Sequence, residues 1–386
     1  MVQEKIVSSE KTNKDEGIHQ DKPKLRFPEF TDKWINQKMG NIVEINSGKS
    51  PKNLISYEGS IPYFKVEQLN NCNKYQIETP YFIDKIDKII PKGSIIFPKR
   101  GAAILLNKIR ILSQDSFMDT NLMTLTVNNE NDNEFIYYFI QKEDLSKIAD
   151  TTSIPQLNNK HINPYPISLP SKKEQEKIAS FLSAVDKKIE LLEKKLVLYQ
   201  ELDLSLKNQI FNSFKNSSFI KLNDLCQIKK GKQLNKSDME NNGEYYVLNG
   251  GKEPSGHTNS WNVEENTITI SEGGNSCGFV SFNTEKFYCG GHCYYLTLKQ
   301  ENFDLKYLYH YLKYIEPNIM RLRVGSGLPN IQKGDIENIN ILKLDFNQQK
   351  EVGNFLDLIN EKIILNLKEK EELENFKKGL LQKMFI

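Results

Sequence analysis

The sequence has few cysteines and no long apolar run, and both absences limit what the protein can be. Five of its 386 residues are cysteine, an odd number at uneven spacing, which argues against a disulfide framework and favours a reducing cytoplasm. No apolar stretch approaches the roughly 20 residues of a membrane-spanning helix, so no membrane partner is expected. Residues 1–24 are polar, without the apolar core of a signal peptide, and are predicted to be a disordered tail.

Neither charge nor a catalytic motif singles out a function class. Lys and Arg number 52 against 50 Asp and Glu, a formal net charge of +2, so any nucleic-acid surface must be local. No Walker loop, HExxH, GxSxG or GxGxxG motif is present, which leaves nucleotide-binding, zinc-protease and serine-hydrolase functions without support. Asn163–Pro166 is similar to the Asn-Pro-Pro-Tyr of amino-methyltransferases, but its order differs and no glycine-rich loop follows a strand upstream. We interpret it as a proline-stiffened connector, and we predict no catalytic residue.

Four soft side chains in the second half of the chain raise the alternative of a zinc site. Cys289, His292 and Cys293 lie close in sequence, with Cys277 upstream. Against a metal, His292 and Cys293 are neighbours at the start of a predicted strand, and the corresponding positions 119–122 of the first half carry no ligand set. Buried thiols and a turn histidine are the favoured interpretation, and we assign no metal ligand.

Self-similarity within the chain is the most informative observation. Residues 154–211 align with residues 328–385 at a constant offset of 174, without a gap over 58 positions. A second anchor lies upstream at an offset of 183. The matches include Ile154–Leu157 with Leu328–Ile331, Gln175 with Gln349, and Gly48-Lys49 with Gly231-Lys232. The chain is therefore two copies of one unit, each a globular part followed by a helix.

Each copy ends in a predicted helix that opens with a capping-box pattern, Ser171 with Glu174 and Asp345 with Gln348. Apolar residues then recur at alternating steps of four and three, the heptad pattern of a coiled coil, and Asn366 and Lys370 continue it as polar residues. A helix of about 34 residues spans roughly 50 Å, which favours a paired spacer over core helices of a compact domain. The predicted helix interface comprises Ile178, Leu182, Val185, Ile189, Leu192 and Leu196 in the first helix and Val352, Leu356, Ile359 and Ile363 in the second.

The globular parts have the alternation of a mixed α/β fold. Short strand-like runs at 93–97, 122–127, 266–270 and 294–298 are separated by Gly, Asn and Pro turns, and a helical patch follows each set. The predicted class is α+β, with two mixed α/β domains separated and joined by two long helices. The predicted boundaries are a tail at 1–24, domains at 25–170 and 216–344, and helices at 171–215 and 345–386.

Candidate nucleic-acid contacts are loops in which Lys, Arg and amide side chains stand beside glycine, because these side chains bind phosphates and base edges. Each such loop alone is typical of a solvated surface, but the loops recur at matching places in both copies. The candidates in the first copy are Lys49, Ser50, Lys52, Gln68, Asn70, Lys99, Arg100, Lys108 and Arg110. The candidates in the second copy are Lys230, Lys232, Asn249, Lys252, Asn275, Arg321 and Arg323. Gln68 and Asn70 are favoured for base contacts, since amides pair bidentately with adenine.

Several segments stand in an order that is typical of one protein family. They are Lys24–Phe30 followed by Trp34, then Gly48-Lys49, Ile61–Tyr63, Gly93–Ile95, and the helix entrance Lys173–Gln175 with its second copy. Together they resemble the specificity subunits of Type I restriction-modification enzymes over nearly the whole chain after the tail. The resemblance implies that an antiparallel coiled coil holds two target-recognition domains in inverted orientation. Each domain would recognise one half of a bipartite double-stranded DNA sequence across a fixed spacer.

The same resemblance implies which molecules surround the chain. The chain itself would be non-catalytic and hold no cofactor, and two modification subunits would dock on its helices and domains, bind S-adenosylmethionine and methylate adenine. Restriction subunits would add an ATP- and Mg²⁺-dependent nuclease and translocase, so that the complex is a site-specific deoxyribonuclease and adenine-N6 DNA methyltransferase. The alternative is a stand-alone coiled-coil DNA-binding regulator or scaffold. Co-purification with a methyltransferase distinguishes the two, and the recognised bases and spacer length are not predicted.

Overall fold

The protein is described by a computed structural model that covers residues 22–50, 55–84, 88–151, 154–325 and 327–386. The chain divides into two units. The first comprises the described residues up to Glu190 together with Glu371–Ile386, and the second comprises Leu191–Lys370. In the part of the chain that the structure describes, no helix combines the length and the apolar character that crossing a bilayer requires.

The first unit is a mixed domain in which one helix of three turns packs on the largest of three sheets. Its strands are β1 Ile35–Lys38, β2 Val43–Ser47, β3 Ile61–Phe64, β4 Tyr75–Gln76, β5 Phe82–Ile83, β6 Ile95–Pro98, β7 Arg110–Leu112, β8 Phe117–Met118, β9 Leu122–Val127 and β10 Pro166–Leu169. Its helices are α1 Asn133–Glu143, α2 Asn159–Ile162 and the part up to Glu190 of α3 Lys172–Ser213. The sheets have the orders β2-β9-β6-β7-β4, β5-β3-β8 and β1-β10.

Helix α1 is buried on more than one face. Phe135 through Ile140 are all buried, a continuous run that an amphipathic surface helix does not show. The sheet residues Ile95 and Leu125 share one apolar cluster with this helix, and so do Leu182 of α3 and Phe385 at the end of the chain. The ring centroids of Phe135 and Phe385 lie 4.9 Å apart. The first domain therefore closes its core with a residue far away in sequence from its sheet and from α1.

The second unit repeats this plan with a shorter sheet. Its strands are β11 Phe219–Lys221, β12 Cys226–Lys230, β13 Tyr245–Leu248, β14 Gly256–Thr258, β15 Thr267–Ser271, β16 Val280–Asn283, β17 Tyr288–Cys289, β18 Cys293–Leu298 and β19 Asn340–Leu342. Its helices are α4 Leu222–Leu225, α5 Leu305–Tyr314, α6 Glu316–Arg321, α7 Lys333–Glu337 and the part up to Lys370 of α8 Phe346–Met384. The sheets have the orders β12-β18-β15-β16, β14-β13-β17 and β11-β19.

Strand register shows that the two domains share one backbone design. Ile45 on β2 lies opposite Leu125, and Ile228 on β12 lies opposite Leu296. The same two central residues then face the next strand, where Leu125 lies opposite Ile95 and Leu296 lies opposite Ile268. The residues that the offset of 183 aligns in sequence thus occupy the same position in the two sheets.

A buried glutamine joins each domain to its long helix. Gln175 accepts a hydrogen bond from the backbone N–H of Asp132 at 2.9 Å and donates to the Pro170 carbonyl at 3.0 Å. Gln349 makes the same two bonds, to Asp304 at 2.8 Å and to Leu344 at 2.9 Å. Asp132 and Asp304 in turn cap α1 and α5. The repeated glutamine found in the sequence therefore fixes the domain helix against the start of the long helix.

The two predicted capping boxes differ. The Asp345 carboxylate accepts a hydrogen bond from the Gln348 N–H at 3.0 Å, and Gln348 Oε1 accepts one from the Asp345 N–H at 3.4 Å, which completes the box. Ser171 accepts from the Glu174 N–H at 3.4 Å, but the Glu174 carboxylate instead binds the Arg26 guanidinium at 2.7 and 2.8 Å. Two hydrogen bonds from a guanidinium stabilise the carboxylate more than the single bond from the Ser171 N–H would, so this half of the first box does not form.

The long helices pair antiparallel in both units. In the first unit Lys377 of α8 binds Asp186 of α3 at 2.6 Å. In the second unit Lys370 binds Glu193 at 3.1 Å, so residue numbers fall on one helix as they rise on the other. With the two mixed domains, these helices confirm the predicted α+β class.

The predicted interface positions are buried to different degrees. The buried ones are Ile178, Leu182, Val185, Leu192, Leu196 and Leu356. The half-buried ones are Ile189, Val352, Ile359 and Ile363. Asn366, one of the two polar residues on the predicted seam, is buried and donates to the Lys362 carbonyl of its own helix at 2.7 Å, while Lys370 reaches the other helix. Of the polar pair, Lys370 is therefore the one that links the two helices.

Candidate nucleic-acid interface

In each domain three loops meet at one end of the largest sheet, which we name the loop end. In the first domain Ser47 lies opposite Met123 and Pro98 lies opposite Leu122, so loop residues 48–50, 99–101 and 119–121 lie side by side. In the second domain Lys230 lies opposite Tyr294 and Ser271 lies opposite Cys293, which brings together residues 231–233, 272–276 and 290–292.

A glycine at the loop end allows two chain segments to approach closely. A Cβ atom on Gly48 would stand 1.8 Å from the carbonyl oxygen of Asp119, and one on Gly231 would stand 2.2 Å from that of Gly290. The following residues donate equivalent backbone hydrogen bonds, Lys49 to Met118 at 3.1 Å and Lys232 to Cys289 at 2.9 Å. Any side chain at these two glycines would push the loops apart, which explains why the Gly-Lys pair occurs in both copies.

The repeated segments Ile154–Leu157 and Leu328–Ile331 hold a second loop at the same end. In the first domain the Gly101 N–H donates to the Pro155 carbonyl at 2.9 Å and the Leu157 N–H donates to the Lys99 carbonyl at 2.8 Å. In the second domain Gly274 donates to Pro329 at 3.0 Å and Ile331 donates to Glu272 at 2.9 Å. These bonds make Lys99 and Glu272 equivalent positions. They also show what the repeated segments 154–157 and 328–331 do in the fold, which is to hold this loop in place.

The nine candidate residues of the first domain differ in exposure. Lys49, Ser50, Asn70 and Arg100 are exposed, and Lys99, Lys108 and Arg110 are half-buried. Gln68, favoured from sequence for a base contact, is buried, and its Oε1 accepts a hydrogen bond from the Lys65 N–H at 2.9 Å. Its amide therefore caps a short turn rather than facing solvent, and the predicted base contact stays a prediction. Lys52 lies outside the described residues.

Some first-domain candidates are engaged by neighbouring groups. Lys108 donates to the Asn70 side-chain oxygen, and Arg110 donates to the Ile109 carbonyl at 2.7 Å. Burial lowers the pKa of Lys99, and the nearby carboxylate of Asp119 partly opposes that shift. A phosphate at contact distance would oppose the shift in the same direction as Asp119 does.

Six of the seven candidates of the second domain are exposed: Lys230, Lys232, Lys252, Asn275, Arg321 and Arg323. Asn249 is half-buried, and its Oδ1 accepts a hydrogen bond from the His292 N–H at 3.3 Å, so it shapes the loop end. Strand β15 ends next to Gly273, whose backbone pairs with Asn330, and Asn330 pairs with Val324 beside Arg323. The structure thus brings Asn275 and Arg323 to the same end of the sheet as Lys230 and Lys232.

Sequence reasoning missed Glu272, the acidic centre of the second loop end. Its Oε1 lies 2.6 Å from the Lys230 ammonium and 2.9 Å from the Tyr294 hydroxyl, and its Oε2 lies 3.7 Å from His292 Nδ1. Burial and the bond to Glu272 raise the pKa of Tyr294. Aligning 99–101 with 272–274 at an offset of 173 would have revealed this residue, because it places a glutamate against Lys99.

The four candidate zinc ligands do not share one environment in the structure. Cys277, Cys289 and Cys293 are buried, whereas His292 is exposed and lies beside Glu272. Among the described residues, which include all four, no group of three or more His, Cys, Asp or Glu side chains is arranged to hold a metal ion. Burial raises the pKa of the Cys277 thiol, as is typical of a core cysteine.

The family model for the Type I restriction modification DNA specificity domain matches residues 31–198 and 215–375. The two matches cover more than half of the sequence, one for each copy of the repeat. The chain belongs to this family. The resemblance found in the order of the sequence segments is thereby confirmed, and the alternative of a stand-alone regulator or scaffold finds no support in these comparisons.

Individual relatives agree with the family. A Mycoplasma pneumoniae protein named as a type I specificity subunit is 34% identical over 168 residues, which are 41% of this chain and 44% of that protein, so the match spans less than half of the relative. A Methanocaldococcus jannaschii protein named as the MjaX specificity subunit is 23% identical over 412 aligned residues, 93% of this chain and 94% of the relative. The crystal structure of a Type I restriction-modification S subunit from M. genitalium has the same fold, with a TM-score of 0.71 at 21% identity over 95% of this chain and 99% of that chain.

Proposed function

We propose that this chain is the DNA sequence-recognition subunit of a Type I restriction-modification complex, in which each domain recognises one half of a bipartite duplex target. The observation that carries the proposal is the duplicated loop end. Both copies preserve the glycine contact, the 154–157 or 328–331 segment and the strand register, while the exposed side chains differ. A constant scaffold with two sets of variable polar side chains is what an asymmetric two-part sequence requires.

The long helices would fix the distance between the half-sites and dock the partner subunits. Within the second unit they carry apolar side chains that the fold leaves uncovered: Leu198 is 64% exposed and Leu365 is 58% exposed. Exposed apolar groups on a long paired helix are typical of a protein interface. We place two methyltransferase subunits there, with S-adenosylmethionine bound to them, and restriction subunits with ATP and Mg²⁺ in the complete cytoplasmic complex. In this proposal the chain itself catalyses nothing.

The test is to map methylated adenines in DNA treated with the chain assembled with methyltransferase subunits. We expect one methylated adenine in each of two half-sites separated by a constant number of unspecified bases. The chain without partners should transfer no methyl group. A single uninterrupted site, or methyl transfer by the chain alone, would contradict the proposal.

Docking is tested separately from DNA recognition. The double variant Leu198→Asn and Leu365→Asn should no longer co-purify with the methyltransferase subunits, because it removes apolar area that the interface would bury. Ile35→Asn is the matched control, since Ile35 is 64% exposed on a strand of the first domain. Retained co-purification of the double variant would place the docking surface elsewhere.

A further inference from the structure

An open groove lined by four lysines runs along the outer edge of the sheet in the second domain, and we name it the lysine groove. Its volume is about 590 Å³, and its lysines are Lys229, Lys230, Lys299 and Lys333. Of the described lining residues, Glu337 is the acidic one, and Lys230 is already paired with Glu272 outside the groove, so the other three lysines exceed Glu337 by a formal charge of two. A concave surface of one charge sign concentrates oppositely charged ligands.

Three of these lysines lie away from the loop end and are held only weakly. Lys333 lies 3.4 Å from Glu337 one helical turn away, and both side chains are substantially exposed. Lys299 donates to the backbone carbonyl of Asn223, a neutral group that leaves its charge uncompensated. Lys229 is exposed on β12. Exposed pairs of this kind contribute little to stability, so these charges are free to bind an anion.

The groove is continuous with the loop end. It follows β12, the edge strand of its sheet, and Lys230 is both a groove residue and the last residue of that strand before Gly231. Five residues of strand span roughly 16 Å, which corresponds to about five nucleotides of rise along one DNA strand. A duplex held at the loop end therefore has phosphates available at the spacing of the groove.

The first domain has no lysine at the corresponding positions. Strand register makes Asn46 and Ser47 the counterparts of Lys229 and Lys230. Asn128 donates its N–H to the Ile42 carbonyl at 2.9 Å, as Lys299 donates to Leu225 at 2.8 Å, which makes this pair equivalent too. Asn159 and Lys333 each begin the short helix after the repeated segment and differ by the offset of 174. Four neutral residues thus stand where the second domain has four lysines.

We propose that the lysine groove binds the phosphodiester backbone of duplex DNA beside the half-site of the second domain, and that the first domain lacks this contact. The inference rests on the proposed function and adds an asymmetry to it. The footprint of the complex extends further beyond one half-site than beyond the other. Because ammonium groups contact phosphates without regard to sequence, the groove adds affinity and salt dependence but no base preference.

The decisive variant is Lys229→Gln, Lys299→Gln and Lys333→Gln together, which leaves Lys230 and the loop end intact. Affinity of the assembled methyltransferase for its duplex target is measured against salt concentration. Three lost phosphate contacts should flatten the slope of log affinity against log salt by about 2.7. Between about 50 and 200 mM salt, the fold-decrease in affinity of the variant should then be roughly 40 times smaller than that of the wild type. The control is Lys215→Gln, Lys343→Gln and Lys350→Gln, three exposed lysines of the same unit outside the groove.

Phosphate-ethylation interference on the same duplex locates the effect. We expect the groove variant to lose interference at a few phosphates outside the second half-site only, with the methylated bases unchanged. The reciprocal variant Asn128→Lys with Asn159→Lys should steepen the slope by about two and extend the footprint beside the first half-site.

The outcomes separate the groove from the function on which it rests. If the groove variant keeps both slope and footprint while the wild type binds its bipartite target, the groove proposal fails and the proposed function stands. The groove proposal also fails if the groove variant loses a partner subunit but keeps its salt slope, since the groove then binds an acidic protein. If the wild-type complex shows no bipartite duplex binding, the proposed function fails first.

Discussion

The two loop ends have the same backbone and opposite charge at their centres. The Lys99 carbonyl in the first domain and the Glu272 carbonyl in the second accept equivalent hydrogen bonds, yet one side chain is cationic and the other is a carboxylate bound to Lys230. Backbone bonds hold the loops in place whatever side chains they carry, so the side chains can diverge without loss of the fold. In this protein the backbone scaffold of the loop end can therefore stay constant while its exposed side chains change.

Exchanging one recognition surface is the largest test of that separation. Residues 219–327 replaced by the equivalent region of a relative should change the second half-site completely and leave the first unchanged. The adenine methylation map of the assembled enzyme shows both half-sites at once. A change in both half-sites would mean that the two domains do not recognise DNA independently.

The repeated glutamines should matter equally in the two domains. Gln175→Leu and Gln349→Leu each leave a buried N–H and a buried carbonyl without a partner, and each should lower the free energy of unfolding by about 2–4 kcal/mol. Denaturant unfolding of the purified chain measures both. Gln200→Leu, at an exposed position of α3, should change stability by less than about 0.5 kcal/mol. A large cost in one domain alone would break the equivalence.

Removing the cations of the first loop end tests the domain that has a lysine where the second domain has Glu272. Lys99→Ala with Arg100→Ala should flatten the salt dependence of binding by roughly two units of slope, equally for cognate and single-base-changed duplexes, if both residues meet phosphates. A guanine contact by Arg100 would instead cost about 1–3 kcal/mol at one base position. Unaltered affinity and slope would show that this loop faces solvent.

The smallest expected effect comes from a buried histidine in the second domain. His310 on α5 occupies the position that Tyr138 holds on α1, since Asp304 and Asp132 cap the two helices at the same distance. Burial lowers the pKa of His310 to about 4, with Lys207 adding to the shift, Asp357 opposing it and Lys306 nearby. In the unfolded chain the pKa of this histidine is about 6.5. Between these two pKa values the imidazole is therefore neutral in the folded chain and protonated in the unfolded one.

The sign follows from the lower pKa in the folded state. The contribution to stability is fully present above about pH 6.5 and is lost as pH falls toward about 4, amounting to about 1 kcal/mol between pH 7.5 and 5.5. Amide hydrogen exchange in α5, corrected for intrinsic rates, should show this loss, and exchange in α1 serves as the internal comparison. His310→Phe should remove the difference between the helices. A variant that keeps the full pH dependence would assign it to another group.

How much the sequence predicts depends on whether a contact is local. The heptad seam and the cap at Asp345 rest on short-range patterns, the offsets of 174 and 183 rest on comparing the chain with itself, and the structure has all of them. The Glu174 side chain departs from its capping pattern because it binds Arg26. The two residues are 148 positions apart in sequence, so no local pattern reveals the contact. Gln68 makes a local bond to the Lys65 N–H, but its turn also packs against β6, and that contact is not visible in the local pattern. Glu272 is missed because charge at a loop becomes informative only after the two loop ends are superimposed.

The closing of the first core by Phe385 has a consequence for the order in which the domains are completed during synthesis. Residues 371–386 leave the ribosome after every residue of the second unit, which is one continuous segment, Leu191–Lys370. Until then Phe135 and Phe139 lack the ring that contacts them at 4.9 and 6.3 Å. The first unit is therefore completed only after the second has been translated, and until then it exposes the kind of apolar surface that makes partly folded chains prone to aggregation.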